Sequence, residues 1–265
     1  PAPAGRTLRT LVPAVGPDDI VALWAGGIYD WFDPVTLVDA VAMADPSLHV
    51  VFLGGSHPNP DVPQMRAAVE ARAHATALGV EGTRVHFVDE WIPYAERVQL
   101  LLDADIGVTT HRPGLETAFS FRTRILDYLW AGLPVVCNTG DDLSAAIHEA
   151  GAGRVVVPQA VDDLREALDA LVADAAFRRR AGDAARQLGR SYRWSEVVEP
   201  LRRFTLDPHP AADRLDPVTA LAVQAHRPPA RSGVRHLLGR VRLNLAAGGW
   251  RRATGAIAQR LLRRS

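Results

Sequence analysis

The chain has 265 residues, of which 48% are hydrophobic, so it can form one large domain or a domain with appendages. It contains a single cysteine, Cys137, which excludes an intramolecular disulfide framework and suits a reducing compartment. We find no apolar run near the roughly 20 residues needed to span a bilayer, and no signal-peptide pattern. These features favour a cytoplasmic location.

The formal net charge is zero, but the charges are unevenly distributed along the chain. There is no lysine, so all 30 basic residues are arginines. Ten of them lie in residues 217–265, which hold no acidic residue, and the preceding part of the chain is therefore acidic. Residues 1–17, which begin with PAPAGRTLRT, read as a linker from a missing N-terminal domain.

From residue 18 onwards, short apolar runs alternate with segments of helical periodicity. The first run, IVALWA, ends in a glycine pair and precedes a helix that begins at Pro34. Five further runs follow in chain order, with predicted helices between them: LHVVFLGG, RVHFV, DIGVTT, LPVVCN and GRVVV. Helical patterns then continue to Phe204.

This alternation predicts an α/β fold, because parallel strands need crossover connections and helices supply them. Continuous apolar runs indicate strands that are covered on both faces. We therefore predict a Rossmann-like, doubly wound, parallel six-stranded sheet over residues 18–204. Ligands of such sheets bind beyond the carboxyl ends of the strands, which points to five loops: 26–33, 54–61, 89–93, 111–120 and 138–142.

The first of these loops begins with Gly26 and Gly27. A glycine pair at a strand end allows the backbone to approach a ligand closely. The pair does not form a G-x-G-x-x-G motif, so the dinucleotide fingerprint is absent. A plain tight turn accounts for the two glycines equally well.

The stretch HRPGLETAFSFRTRILDYLWAG joins the fourth strand to the following helix. If the helix begins near Ser120, the amides of Ser120, Phe121 and Arg122 are free to bind phosphate, and arginine side chains add bidentate recognition. Arg124 and Asp127 share one helical face with Ser120. Spacing alone slightly favours the alternative, a surface ion pair between Arg124 and Asp127.

The composition and the hydrophobic pattern of the sequence change after Phe204. Residues 205–265 combine loop-like stretches with Arg-rich segments that suit one or two amphipathic helices. Such a basic helical tail is able to lie on the inner face of an anionic membrane. A solvated tail, or a helix packed against another domain, is the alternative. Nucleic-acid binding is not expected, because the main body is acidic.

The order of these segments resembles the C-terminal domain of GT-B glycosyltransferases of the family-4-like group. LDYLWAGLPVV is similar to that family's EAMAxGxPVV, and ADIGV and the helices through YRWSEVV also match. The resemblance covers roughly residues 18–204 and implies a domain that binds a nucleotide-diphosphate sugar as donor substrate. It implies no cofactor and no metal, and the sequence has no cluster of metal-ligand spacing.

The resemblance also implies roles for particular residues. The second acid of the family's E-x7-E motif, which binds the nucleotide ribose, falls on Asp127. The first acid would fall at Phe119, and Glu116, three residues upstream, is the candidate catalytic residue.

The family's diphosphate-binding arginine and lysine, which follow the first strand, are missing. Gly27 and Asp33 stand near those positions, so Arg122 or Arg124 is expected to replace the lost positive charge. The nucleobase is expected near Glu90 and Trp91.

The whole enzyme of this family binds its acceptor mainly on an N-terminal domain. The resemblance therefore implies a donor-binding half of a hexosyltransferase-type enzyme that acts, with retention, on a glycan or lipid-linked acceptor in cell-envelope polysaccharide biosynthesis. This chain alone is expected to be inactive in transfer. The alternative is a non-catalytic nucleotide-sugar-binding or scaffold module of GT-B ancestry. A GT-B epimerase is a further enzyme alternative, whereas a phosphorylase is excluded, because the chain has no lysine for pyridoxal phosphate.

Overall fold

A computed structural model describes residues 6–54, 59 and 61–210 of the chain. All six predicted strands are present in these ranges: β1 (Ile20–Trp24), β2 (Leu48–Leu53), β3 (Val85–Val88), β4 (Ile106–Thr109), β5 (Val135–Asn138) and β6 (Gly153–Val156). They form one parallel sheet of order β3-β2-β1-β4-β5-β6. The predicted doubly wound sheet is confirmed.

The described helices follow the strands in the predicted alternation, with short additional helices before β1, after β4 and after α9. They are α1 (Leu8–Leu11), α2 (Pro34–Met43), α3 (Arg66–Ala77), α4 (Tyr94–Leu102), α5 (Leu115–Phe119), α6 (Thr123–Ala131), α7 (Asp142–Ala150), α8 (Val161–Ala173), α9 (Ala175–Gly189), α10 (Trp194–Val197) and α11 (Glu199–Leu206). One 3₁₀ turn, Arg190–Tyr192, follows α9.

The sheet is covered on both faces, as the continuous apolar runs predict. Val21 and Leu23 of β1 pack into the core under α4, α6, α7 and α9, whereas Ala22 and Trp24 pack into the core under α2, α3 and α8. Successive side chains of a strand point to opposite faces, so a strand between two helical layers must be apolar at every position.

The chain changes winding direction at β1, which lies between β2 and β4. One side chain ties the carboxyl ends of β1 and β4 together at this point. The buried hydroxyl of Tyr128 accepts a hydrogen bond from the Ala25 amide (2.9 Å) and donates one to the Val108 carbonyl (3.0 Å). Gly107 makes room for the ring, because a β-carbon there would lie 2.4 Å from Tyr128 Cγ.

The helix expected to present free amides begins later than predicted. It was placed near Ser120, but α6 begins at Thr123 with Arg122 as its N-cap. The separate helix α5 precedes it, and the Ser120 amide donates to the Glu116 carbonyl (2.8 Å) at the end of α5. The prediction of a free Ser120 amide is wrong, because that amide closes the last turn of α5.

The contacts divide the chain between Glu199 and Pro200. The predicted basic tail and its membrane contact fall almost entirely on residues 211–265, which lie outside the described ranges. Within those ranges, no helix has the length and apolar character that crossing a bilayer requires.

We expect a Tyr128→Phe variant to be less stable by about 1–3 kcal/mol, because the buried Ala25 amide loses its acceptor. Urea unfolding followed by circular dichroism measures the difference in the free energy of unfolding. Tyr94→Phe is the matched control, since Tyr94 is 81% exposed and its hydroxyl is accessible to water. Equal stability of Tyr128→Phe and wild type would contradict the proposed tie.

Two buried histidines lie side by side on β2 and β3. His49 Nδ1 is 3.0 Å from His86 Nε2, and His49 Nε2 is 3.2 Å from the Asp19 carboxylate. Burial, with the neighbouring His49, lowers the pKa of His86 to about 4. Burial also lowers the pKa of His49. The Asp19 carboxylate opposes this shift, whereas the positive charge of Arg84 adds to it. Both rings are therefore neutral in the folded protein at neutral pH.

Stability should fall as the pH drops from the ordinary histidine pKa of 6.5 towards about 4, because His86 takes up its proton more readily in the unfolded chain. The slope from this one group is about 1.4 kcal/mol per pH unit. Urea unfolding at several pH values measures it. His86→Gln should flatten the dependence, whereas the same exchange at the exposed His148 should not. An unchanged slope in His86→Gln would refute the assignment.

Candidate functional site

A cavity of about 640 Å³ opens at the carboxyl ends of β1, β2 and β3, beside the point where the winding changes direction. Its lining is mostly apolar and aromatic and comes from the loops after these strands and from α3 and α4. The lining residues are Gly26, Gly27, Ile28, Tyr29, Leu53, Gly54, Val62, Pro63, Gln64, Met65, Ala68, Trp91, Ile92, Tyr94 and Arg97. Its size lies within the range of about 300–1,000 Å³ that is usual for small-molecule sites.

The predicted glycine turn forms one wall of this cavity. Gly26 has a φ of +116°, which side chains other than glycine rarely adopt. The turn after β2 packs directly against it, because a β-carbon on Gly54 would lie 3.4 Å from the Gly26 backbone. Gly26 and Gly27 were identified from the sequence, but Gly54 was not singled out as a site residue.

Arg124 reaches back from α6 to the glycine turn. Its Nη2 donates to the Gly27 carbonyl (2.6 Å), and the guanidinium lies over the rings of Trp24 (4.8 Å) and Phe32 (4.6 Å). Its Nη1 is buried and has no hydrogen-bond partner among the described residues. The sequence alone slightly favoured a surface pair with Asp127. The structure instead places the Arg124 guanidinium against the glycine turn, outside the residues that line the cavity.

Arg97, in the first turn of α4, is a cavity residue that the sequence analysis missed. Its Nη2 lies 3.6 Å from Asp127 Oδ2, and its guanidinium is 5.9 Å from the ring centre of Tyr94. Its position immediately beyond the loop after β3 could have identified it, because that loop ends at the site.

Asp127 lies beside the main cavity rather than in its lining. It lines a second cavity of about 360 Å³ between α4, α6 and the turn after α9, and Arg97 and Tyr94 line both cavities. Burial raises the pKa of Asp127, and Arg97 and Arg124 oppose that rise. Asp127 thus stands next to two positive charges at the junction of the cavities.

Arg122 does not line either cavity, although it was predicted to bind phosphate. Its buried guanidinium forms an ion pair with Asp141 and donates to the Asn138 carbonyl (2.9 Å). It therefore ties the start of α6 to the loop after β5. Only Thr123 separates Arg122 from Arg124 in the chain, but the two arginines lie in different surroundings, and Arg124 is the one that contacts the glycine turn.

The loop after β4 is held by Asn138, whose side chain accepts from the His111 amide (2.8 Å) and donates to the His111 carbonyl (2.9 Å). The imidazole of His111 is buried and packs edge-on against Phe32 (4.6 Å between ring centres). Burial, with Arg122 and Arg124 nearby, lowers its pKa to about 3, so the ring is neutral.

The remaining predicted residues are not brought together. Trp91 lines the main cavity, whereas Glu90 forms an ion pair with Arg6 and borders a separate hollow near α1. Glu116 is exposed on α5 and lines neither cavity, and Phe121 is 53% exposed with its ring 6.2 Å from that of Tyr192.

Asp33 stands near one of the two positions at which the family has its diphosphate-binding arginine and lysine, and the structure shows why an acid is found here. Asp33 is buried and caps the start of α2, where its carboxylate accepts from the hydroxyl (2.7 Å) and the amide (3.4 Å) of Thr36. Asp33 therefore stabilises the end of the glycine loop, and Arg97 of α4 supplies positive charge to the cavity lining.

The fold is that of the C-terminal half of GT-B glycosyltransferases. The C-terminal domain of LpcC, a glycosyl transferase group 1 family protein from Francisella tularensis, is 16% identical, with a TM-score of 0.54 over 66% of this chain and 87% of that one. HepE from Anabaena in complex with UDP-glucose is 19% identical, with a TM-score of 0.58 over 74% of this chain and 51% of that one.

Sucrose-phosphate synthase from Thermosynechococcus elongatus is 20% identical, with a TM-score of 0.59 over 74% of this chain and 47% of that one. The chain thus spans about half the length of these larger structures. No curated protein sequence is significantly similar to it. The model of the glycosyl transferase-like family matches residues 48–203, and the chain belongs to that family.

We expect Arg122→Met to destabilise the protein by about 3–5 kcal/mol, because it leaves the buried Asp141 carboxylate without its partner. Chemical unfolding measures this loss. The double variant Arg122→Met with Asp141→Asn, in which the amide oxygen still caps α7, should regain part of it. If the double variant is no more stable than the single one, the ion pair is not the cause.

Proposed function

We propose that this chain is the donor-binding half of a glycosyltransferase that uses a nucleotide-diphosphate sugar. The observation that carries the proposal is the cavity at the switch point, with the glycine turn on one side and Arg97 and Arg124 beside it. Ligands of doubly wound sheets bind at this place, and positive charge beside a close-approaching backbone suits a diphosphate.

The residues in and beside the main cavity suit the base and the ribose of a nucleotide. Tyr29, Trp91 and Tyr94 supply aromatic surface for a base, and each is at least 41% exposed. Asp127 stands beside Arg97 at the edge of this region, and its carboxylate is able to accept hydrogen bonds from ribose hydroxyls. The UDP and UDP-glucose complexes of HepE support a nucleotide sugar as the ligand class.

The finer features of the proposal rest on the family resemblance. They are a hexosyl donor, transfer with retention, a glycan or lipid-linked acceptor, and a role in cell-envelope polysaccharide synthesis at the cytoplasmic side of a membrane. We propose that an N-terminal GT-B domain supplies the acceptor site, so that this chain alone binds the donor without transferring sugar.

A second candidate is a non-catalytic nucleotide-sugar-binding module. The exposed position of Glu116, away from both cavities, favours it, because no other acid was assigned to the sugar. The two candidates differ in activity but share donor binding. Glu116→Gln in the full-length protein distinguishes them: a large loss of transfer with donor affinity retained supports the enzyme, and an inactive wild type supports the module.

Calorimetric titration of the 265-residue chain with UDP-, GDP- and dTDP-sugars tests the shared proposal. We expect one nucleotide class to bind, and Asp127→Asn to weaken it by about tenfold or more, because a charged hydrogen bond contributes about 1.5–3 kcal/mol. Asp162→Asn, in the first turn of α8, is the matched control and should bind as wild type does. Absence of binding to all three classes at millimolar concentration would refute the proposal.

A further inference from the structure

We propose that residues 6–16, the N-terminal strap, order the loop after β3 and thereby position the aromatic wall of the main cavity. Arg6 of the strap and Glu90 of the loop are positioning residues, which act on a ligand through Trp91. The effect on ligand binding rests on the proposed function, whereas the order of the loop is measurable without any ligand.

The N-terminal strap packs against the domain, although its sequence read as a linker. Leu8, Val12 and Val15 are at most 6% exposed and belong to the same hydrophobic core cluster as Val88 and Ile92. Val88 ends β3, and Ile92 lines the main cavity. The strap therefore shares a core with both ends of the loop that joins β3 to α4.

Polar contacts fix the course of the strap at points away from this loop. The Leu8 amide donates to Asp103 Oδ2 (2.7 Å), and Arg9 Nη2 donates to the Asp19 carbonyl (2.9 Å). The Gly16 amide donates to the Asp19 carboxylate (2.7 Å). These acceptors lie at the end of α4 and just before β1, so the strap is anchored outside the cavity lining.

Arg6 connects the anchored strap to the loop. Its guanidinium forms an ion pair with Glu90, and its Nε lies 3.8 Å from Glu96 Oε2 in the first turn of α4. Arg6 thus bridges the two ends of a segment that holds Trp91, a residue of the cavity lining. Because the Leu8 amide is fixed two residues further on, Arg6 reaches Glu90 from a defined position.

The loop is held from its other side by α3. Arg72 Nη2 lies 2.8 Å from both carboxylate oxygens of Asp89, so two adjacent acids tie the loop to α3 and to the strap. Both ion pairs are partly exposed and therefore weak. We expect their loss to change the order of the loop rather than the stability of the domain.

A disordered cavity wall weakens binding, because the ligand must then order it. The apparent affinity falls in proportion to the fraction of molecules in which the wall is in place. The strap should therefore strengthen the binding of a ligand that contacts Trp91 and should not affect one that does not.

Order parameters of the backbone amides of residues 89–92, from magnetic-resonance relaxation of the 265-residue chain without ligand, test the ordering. We expect values near about 0.85 in wild type and in Arg6→Lys, which keeps the charge, and a fall towards about 0.6 in Arg6→Gln and Glu90→Gln. Arg180→Gln is the matched control, since Arg180 pairs with Asp174 at the start of α9 and lies outside the cavity lining.

Asp103→Ala tests whether the strap transmits the effect. The change removes the acceptor of the Leu8 amide without altering the loop itself. We expect the order parameters of residues 6–12 and of residues 89–92 to fall together. If residues 6–12 loosen while residues 89–92 keep their order, the strap does not hold the loop and the inference is overturned.

Calorimetry with UDP and inorganic pyrophosphate measures the effect on a ligand. We expect Arg6→Gln to weaken UDP binding by about two- to fivefold, which is the range that an exposed ion pair produces. Pyrophosphate binding should stay unchanged, because pyrophosphate has no base to contact Trp91. An equal loss for both probes would indicate general damage to the domain and would overturn the positioning role.

The results for the strap are distinguishable from those for the proposed function. If wild type binds none of UDP, GDP and dTDP while the order of the loop falls in Arg6→Gln and Asp103→Ala, the proposed function fails and the role of the strap stands. If wild type binds UDP and Arg6→Gln binds it equally tightly, the positioning role is overturned and the proposed function stands. Equal order parameters in wild type and Arg6→Gln overturn the inference whatever binds.

Discussion

The hydroxyl of Tyr128 joins the carboxyl ends of β1 and β4, and the candidate site is built around that junction. It accepts from Ala25 and donates to Val108, so the two strands at which the winding changes direction are held at a defined spacing. Tyr128 lies on the same helix as Arg124, four residues further on. The residue that ties the strands therefore also places Arg124 against the glycine turn.

The two arginines at the start of α6 face different loops of the structure. Arg122 faces the loop after β5 and neutralises a buried carboxylate there, whereas Arg124 faces the loop after β1. A buried charge needs a fixed partner, and Arg122 has one in Asp141. Arg124 is held by the Gly27 carbonyl and by two aromatic rings, and Asp127 is the carboxylate nearby.

Much of this arrangement was predictable from local patterns. The six apolar runs predicted the sheet, and the Gly26–Gly27 pair and Trp91 were placed at the site because they follow strands. The start of α6 was misplaced, because the sequence around Glu116 folds into the separate helix α5, whose short pattern merges with the next helix. Arg97 was missed because its helical segment is amphipathic and reads as an ordinary surface helix.

The sequence by itself determined the order of strands and helices along the chain, their burial on both faces and the edge of the sheet at which the candidate cavity opens. These properties follow from the period of apolar residues, which is local in the chain. Only the tertiary structure decided which charges meet there: Arg97 with Asp127, Arg124 with Gly27, and Arg122 with Asp141. The partner of a long charged side chain depends on loops from distant strands, and no local pattern encodes that choice.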